Sequence, residues 1–179
     1  SSAASDVYKR QAYEISDYDY IAGLKSFQDG MYQIQDISSM LAGEYTAPKA
    51  GDTIVDVCGA PGGKSINAAL KMSEQGDCGR VIARDLSDYK VALIDENIKR
   101  LNITNIQTQV YDALDCDESL INKADIVIAD LPCSGLGIIG RKPDIKYNAS
   151  PEKLQSLVDL QRDILKVVSR YVCLLYTSP

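Results

Sequence analysis

The 179-residue chain contains no histidine. That absence excludes Ser-His-Asp and Cys-His catalysis and argues against a transition-metal site. Paired cysteines are missing as well. Those at 58, 78, 116, 133 and 173 form no C-x-x-C motif, and an odd, scattered set of five suits a reduced compartment, which predicts a cytoplasmic location. No apolar run approaches the roughly 20 residues that span a bilayer, and no signal peptide opens the chain, so no membrane partner is expected. A basic excess is lacking too: 19 Lys and Arg against 25 Asp and Glu leave a net charge of −6. Alone, this surface is a poor match for nucleic acid. Neither internal repeats nor low-complexity segments occur.

What remains is ordinary globular composition, 45% apolar and 25% charged, in a length that suits one domain. Residues 1–11 lack a hydrophobic period and read as a disordered or foreign end. Residues 173–179 read as a foreign or truncated one, leaving 12–172 as the domain. Gly30 to Asp36 reads as extended, and Asp36 is placed to cap a helix with Ile37, Met40 and Leu41 on one face. Pro48 through Gly51 reads as a turn.

Four strands alternate with helices after that. Strands are expected at Thr53–Val57, Arg80–Arg84, Ile106–Val110 and Ala124–Asp130, the last buried on both faces. Between them lie a helix at about Ser65 to Gln75, with Ile66, Ala69 and Leu70 inward, and another at about Ser87 to Leu101. In the latter, Val91, Ile94, Ile98 and Leu101 form a buried stripe. A long loop, Leu131 to Ser150, precedes a helix opened by Pro151, and Val172 to Tyr176 would begin a fifth strand. The alternation predicts an α/β fold with a mostly parallel sheet.

The organising stretch is Asp56-Val57-Cys58-Gly59-Ala60-Pro61-Gly62-Gly63-Lys64, a strand breaking into a glycine turn before a helix. Adjacent glycines admit a ligand close to the backbone, and the helix start directs free N–H groups towards it. Asp56, Asp85, Asp112 and Asp130 fall at or just past the four strand ends, the edge where open α/β sheets bind ligands. Asp85, 21 residues after Lys64, is placed for ribose hydroxyls. Any one of these is most simply a solvated loop aspartate or helix cap; four on one edge weaken that reading.

Three ligands compete for the turn. The dinucleotide fingerprint G-x-G-x-x-G is not met. A P-loop is nearly met by Gly63-Lys64-Ser65, but Cys58 stands where its first glycine belongs and Pro61 removes an amide from the phosphate cradle. S-adenosylmethionine, a nucleoside without phosphate, needs no such cradle, and its sulfonium suits nearby carboxylates. In the second distinctive stretch, Asp130-Leu131-Pro132-Cys133-Ser134-Gly135, a lone cysteine is usually a small buried hydrophobe. Its proline and glycine neighbours past a strand end place Cys133 in the cleft instead. Arg141-Lys142-Pro143-Asp144-Ile145-Lys146 follows.

Together, D-x-C-x-A-P-G-G-K, D-L-P-C-S-G and R-K-P-D-I-K resemble the Sun-type RNA (cytosine-5)-methyltransferases, most closely the RsmB-like enzymes of small-subunit ribosomal RNA. Gln35-Asp36-Ile37-Ser38-Ser39 matches the family's stretch before the first strand, and the resemblance runs from about residue 12 to 172. It implies a Rossmann-like S-adenosylmethionine-dependent methyltransferase fold without its C-terminal strands. The cofactor would lie on Cys58, Gly59, Ala60, Pro61, Gly62, Gly63 and Lys64, with Asp85 on the ribose, Asp112 by the adenine and Asp130 between cofactor and base. Cys133 would resolve a cysteine–cytosine adduct. The nucleophile itself belongs to a later T-C-[ST] motif that these 179 residues lack, so the chain alone is expected to be inactive. Cysteine is needed because carbon 5 of cytosine is a poor nucleophile until a thiolate adds at carbon 6. RNA, no metal and a monomeric state complete the expectation. The alternatives are a P-loop-like nucleotide-binding protein and a non-catalytic methyltransferase-like RNA-binding module.

Overall fold

A computed structural model describes residues 5–6, 12–15, 20–76, 79–135 and 150–173. It divides into two compact units, Ser1–Gln33 and Ile34–Pro179. In the first, β1 (Ser5–Asp6) pairs antiparallel with β2 (Tyr13–Glu14), and a 3-10 turn, Ile21–Gly23, precedes the single helical turn α1 (Lys25–Gln28).

The second unit opens with α2 (Ile37–Thr46). Asp36 caps it as expected, its carboxylate accepting from the Ser38 amide at 3.3 Å. Its apolar face is a correction: Ile37 and Leu41 are 48% and 42% exposed. The helix turns Gly43 inward instead, so tightly that a Cβ there would collide with the Asn67 side chain, and Glu44 pairs with Lys71.

Then follow β3 (Thr53–Asp56), α3 (Gly63–Ser73), β4 (Arg80–Asp85), α4 (Asp88–Leu101), β5 (Ile106–Val110), a 3-10 turn at Glu118–Leu120, β6 (Ile126–Ile128) and α5 (Pro151–Val168). The β-branched run Thr53-Ile54-Val55 makes the central strand, flanked by β4 on one side and β6 on the other. All pairs are parallel and the order is β5-β4-β3-β6. Side chains alternate across this sheet. Ile54 and Val81 pack with Ala68, Ala69 and Met72 of α3, whereas Val55 and Ile82 pack with Ile164 and Val168 of α5. Each of the Ile, Val and Met side chains among them contributes about 1.5–3 kcal/mol on leaving water.

Two further expectations change. Leu70 is 43% exposed, because the buried positions 65, 66, 68, 69 and 72 define a face from which residue 70 is rotated away. β6 is short and half-buried rather than enclosed on both faces. Beyond its pairing with β3, the described residues add only a parallel bridge between Ala124 and Val172, where a fifth strand was expected to start. The described helices include none long and apolar enough to cross a membrane.

Candidate functional site

Strand order reverses between β3 and β6: the chain proceeds from β3 outwards through β4 to β5, then returns to the other side of β3. At such a switch point the loops leaving the strand ends diverge and open a crevice. Asp56 closes β3 and Asp85 closes β4; Asp112 and Asp130 each lie two residues past the ends of β5 and β6. The four acids therefore share the edge that the sequence pattern predicts.

The loop from Asp56 is fixed by its own backbone. The Gly59 amide donates to the Arg84 carbonyl at 2.8 Å and the Gly62 amide to the Gly59 carbonyl at 2.6 Å. The Ala60–Pro61 peptide is cis. Asn97 of α4 donates to the Pro61 carbonyl at 3.0 Å, and Gln35 donates to that of Gly63 at 3.2 Å. Helix α3 thus begins at Gly63, two residues before the expected Ser65. Gly62 has φ +101°, and a Cβ there would stand 3.1 Å from Ile94 Cγ2 and 3.3 Å from Ile66 Cδ1. We expect Gly62→Ala to cost about 2–4 kcal/mol, backbone strain and overpacking together, measured by urea denaturation. A loss below about 0.5 kcal/mol would mean that the loop relaxes freely.

Electrostatics at the loop are dominated by carboxylates. Asp56 is 1% exposed; its Oδ2 accepts from the Ser65 hydroxyl at 2.6 Å, while Oδ1 is buried without a partner. Burial raises this carboxyl to about 6, against the lowering effects of the Ser65 bond and of Lys64. Cys58 is pushed up to about 11, first by burial and then by the charges of Asp85 and Asp56.

Asp85 is 3% exposed, and both oxygens are engaged. Oδ2 accepts from the Ala60 amide at 3.1 Å, and Oδ1 from the Leu86 amide and the Lys90 ammonium at 2.8 and 2.9 Å. It joins the glycine turn to β4, leaving lone pairs for further donors. Asp112 is half-buried and accepts from the Leu114 amide at 2.9 Å, which shapes the loop after β5. Across the switch point, Lys64 pairs with Asp130 at 2.5 Å. Asp130 remains 61% exposed, and Cys133 beyond it is exposed, on a loop anchored where Gln161 of α5 donates to the Pro132 carbonyl at 2.7 Å. The R-K-P-D-I-K stretch lies outside the described residues.

Sequence reasoning missed several supports. Ser65 appeared only as a helix start and as the end of the near P-loop, and Asn97 and Lys90 were not singled out within their helix. Gln35 was seen only within a motif. Arg84 was read as a strand residue, yet it is buried. Helical spacing could have flagged Asn97, which lies on the α4 face that meets Pro61; Arg84 carried no local signal.

Among solved structures, PH0851 superposes with a TM-score of 0.84 at 27% identity, covering 94% of this chain and 38% of that one. NSun6 from Pyrococcus horikoshii, solved with SFG, superposes at 0.75 with 28% identity over 90% of this chain and 41% of its own. The probable ribosomal RNA small subunit methyltransferase B of Bacillus subtilis is 41% identical over 153 residues, which is 85% of this chain and 34% of the relative. This chain therefore spans about a third of that relative's length. Residues 44–175, from the end of α2 past α5, match the family described as 16S rRNA methyltransferase RsmB/F. With the parallel sheet, the glycine turn and the acid edge in the matched span, the chain belongs to the RsmB/F methyltransferase family.

Proposed function

We propose that this domain binds S-adenosylmethionine and serves methylation of carbon 5 of a cytosine in small-subunit ribosomal RNA, acting as a monomer in the cytoplasm. The observation that carries the choice of ligand is the negative field at the glycine turn. A polyphosphate needs a ring of amides and a positive potential. Here Pro61 withholds an amide, the Ala60 amide is already taken by Asp85, and the carboxylates of Asp56, Asp85 and Asp130 set the sign of the field. A sulfonium nucleoside suits that field, and a nucleotide phosphate does not. Relatives named as ribosomal RNA methyltransferases support the RNA substrate.

When bound, the cofactor supplies an electrophilic methyl group. The chain's own residues hold and orient. Gly59 to Gly63 bring the backbone close, Asp85 offers acceptor capacity to the ribose, and Asp112 borders the adenine side. Asp130, fixed by Lys64, faces the junction of cofactor and base. Exposed Cys133 follows three residues after that acid, and its thiol would assist elimination from a cysteine–cytosine adduct. These 179 residues hold no T-C-[ST] motif to supply the attacking thiolate, so binding is the property they should display on their own.

Calorimetry with S-adenosylhomocysteine and with ATP–magnesium tests the reading. S-adenosylhomocysteine should bind and ATP–magnesium should not. The opposite pattern would restore the P-loop alternative, and binding of neither would favour a non-catalytic module.

A further inference from the structure

A charged residue buried beside the site has no part in the reading above. Arg84 is 3% exposed. Its Nε donates to the Gln109 side chain at 2.8 Å, its Nη2 pairs with Asp117, and its guanidinium carbon lies 4.1 Å from the centre of the Tyr111 ring. Nη1 is buried without a partner. Burying a guanidinium is costly unless its surroundings over-determine its geometry. Here three partners from two elements converge on it: Gln109 and Tyr111 from β5 and the residue after it, and Asp117 from the cap of the 3-10 turn.

What this cluster holds lies one residue away. In the parallel register Arg84 faces Gln109 and Asp85 faces Val110. The Tyr111 amide donates to the Asp85 carbonyl at 2.9 Å, and Asp112 follows Tyr111 directly. The Arg84 carbonyl accepts from Gly59, so the same residue also anchors the glycine turn. Arg84 and Tyr111 thus form a stacked pair on the Ile82 side of β4, while their neighbours Asp85 and Asp112 stand at the nucleoside end of the crevice.

We infer that Arg84 is a positioning residue for nucleoside binding: its stack on Tyr111 sets the relative placement of Asp85 and Asp112. The inference rests on the S-adenosylmethionine reading of the site. Lysine at 84 would keep the charge near Asp117 but lose the planar stack and the fork. Arg84→Lys should weaken S-adenosylhomocysteine binding about 5- to 20-fold, with Tyr111→Leu weakening it similarly and Tyr111→Phe, which keeps a ring, leaving it within about twofold. The double variant Arg84→Lys/Tyr111→Leu should be no weaker than the worse single one, since both remove one stack.

A purely structural role makes a different prediction. Val168→Ala, in the core on the same side of the sheet, lowers stability without touching the stack. Its affinity should match wild type at a temperature where both are folded. Equal loss of affinity in Val168→Ala, or wild-type affinity in folded Arg84→Lys and Tyr111→Leu, overturns the inference. If Arg84→Lys does not fold, Tyr111→Leu with Arg84 intact decides the question. Should wild type itself fail to bind S-adenosylhomocysteine, the ligand reading and this inference fall together; wild-type binding with indifferent variants removes the inference alone.

Discussion

Between pH 4 and pH 7.5, Asp56→Asn should gain on wild type in unfolding free energy by about 2–3 kcal/mol. The folded carboxyl sits at about 6 against an ordinary 3.8, chiefly through burial. A carboxyl raised on folding stabilises the protein while protonated. That contribution is complete below about 3.8 and is lost as the pH rises through 6, amounting to about 3 kcal/mol at 1.36 kcal/mol per pH unit. Asparagine cannot ionise, so it escapes the loss. Costs that do not depend on pH, such as an amide placed where Oδ1 already lacks a partner, cancel when the two conditions are compared. Urea denaturation of both proteins at the two pH values measures the difference. A gap that stays constant with pH would show that Asp56 titrates normally. At neutral pH the ionised acid is thus less stabilising than its own protonated form.

Asp85→Ala should lower S-adenosylhomocysteine affinity about 10- to 150-fold, the equivalent of about 1.5–3 kcal/mol for a hydrogen bond to a charged acceptor. It should also destabilise the fold, because the amides of Ala60 and Leu86 lose their acceptor. Lys90 is 49% exposed and can return to water, which limits that second loss. Asp85→Asn separates the two effects, since it retains one oxygen and most of the shape. Calorimetric titration beside urea denaturation reads both quantities. Full affinity in a folded Asp85→Asn protein would remove this residue from the proposed ribose contact.

The contrast between Asp85 and Arg84 shows what was legible in the sequence. The acid ladder could be read because each member follows a β-branched or apolar run, and strand ends in a parallel sheet share one edge. The starts of α2 and α5 were equally local: Asp36 accepts from Ser38 as expected, and Pro151 opens α5, where Ser150, not singled out from the sequence, accepts from Lys153. Arg84 differs because its burial depends on Asp117, 33 residues away, and on Tyr111, neither of which any short-range pattern connects to it. The same limit explains α2. A helical period at Ile37 and Leu41 identifies an apolar face, but the contact with α3 is decided by Gly43 meeting Asn67. Among the described residues β6 pairs on one side only, and its half-buried state goes with that place in the strand order, which a run of apolar residues does not encode.

That place in the order divides the site into halves of unequal resistance to opening. Asp85 leaves a strand paired on both sides, next to the central one, and is itself enclosed. Asp130 follows a three-residue strand whose backbone pairing, among the described residues, is with β3 alone, with a separate bridge at Ala124. Local unfolding free energy scales with such enclosure. Asp85, the proposed ribose contact, therefore belongs to the more enclosed part of the described sheet, and Asp130 to a less enclosed one. On the proposed reading, the wall of the cleft that meets the nucleoside is thus the firmer of the two.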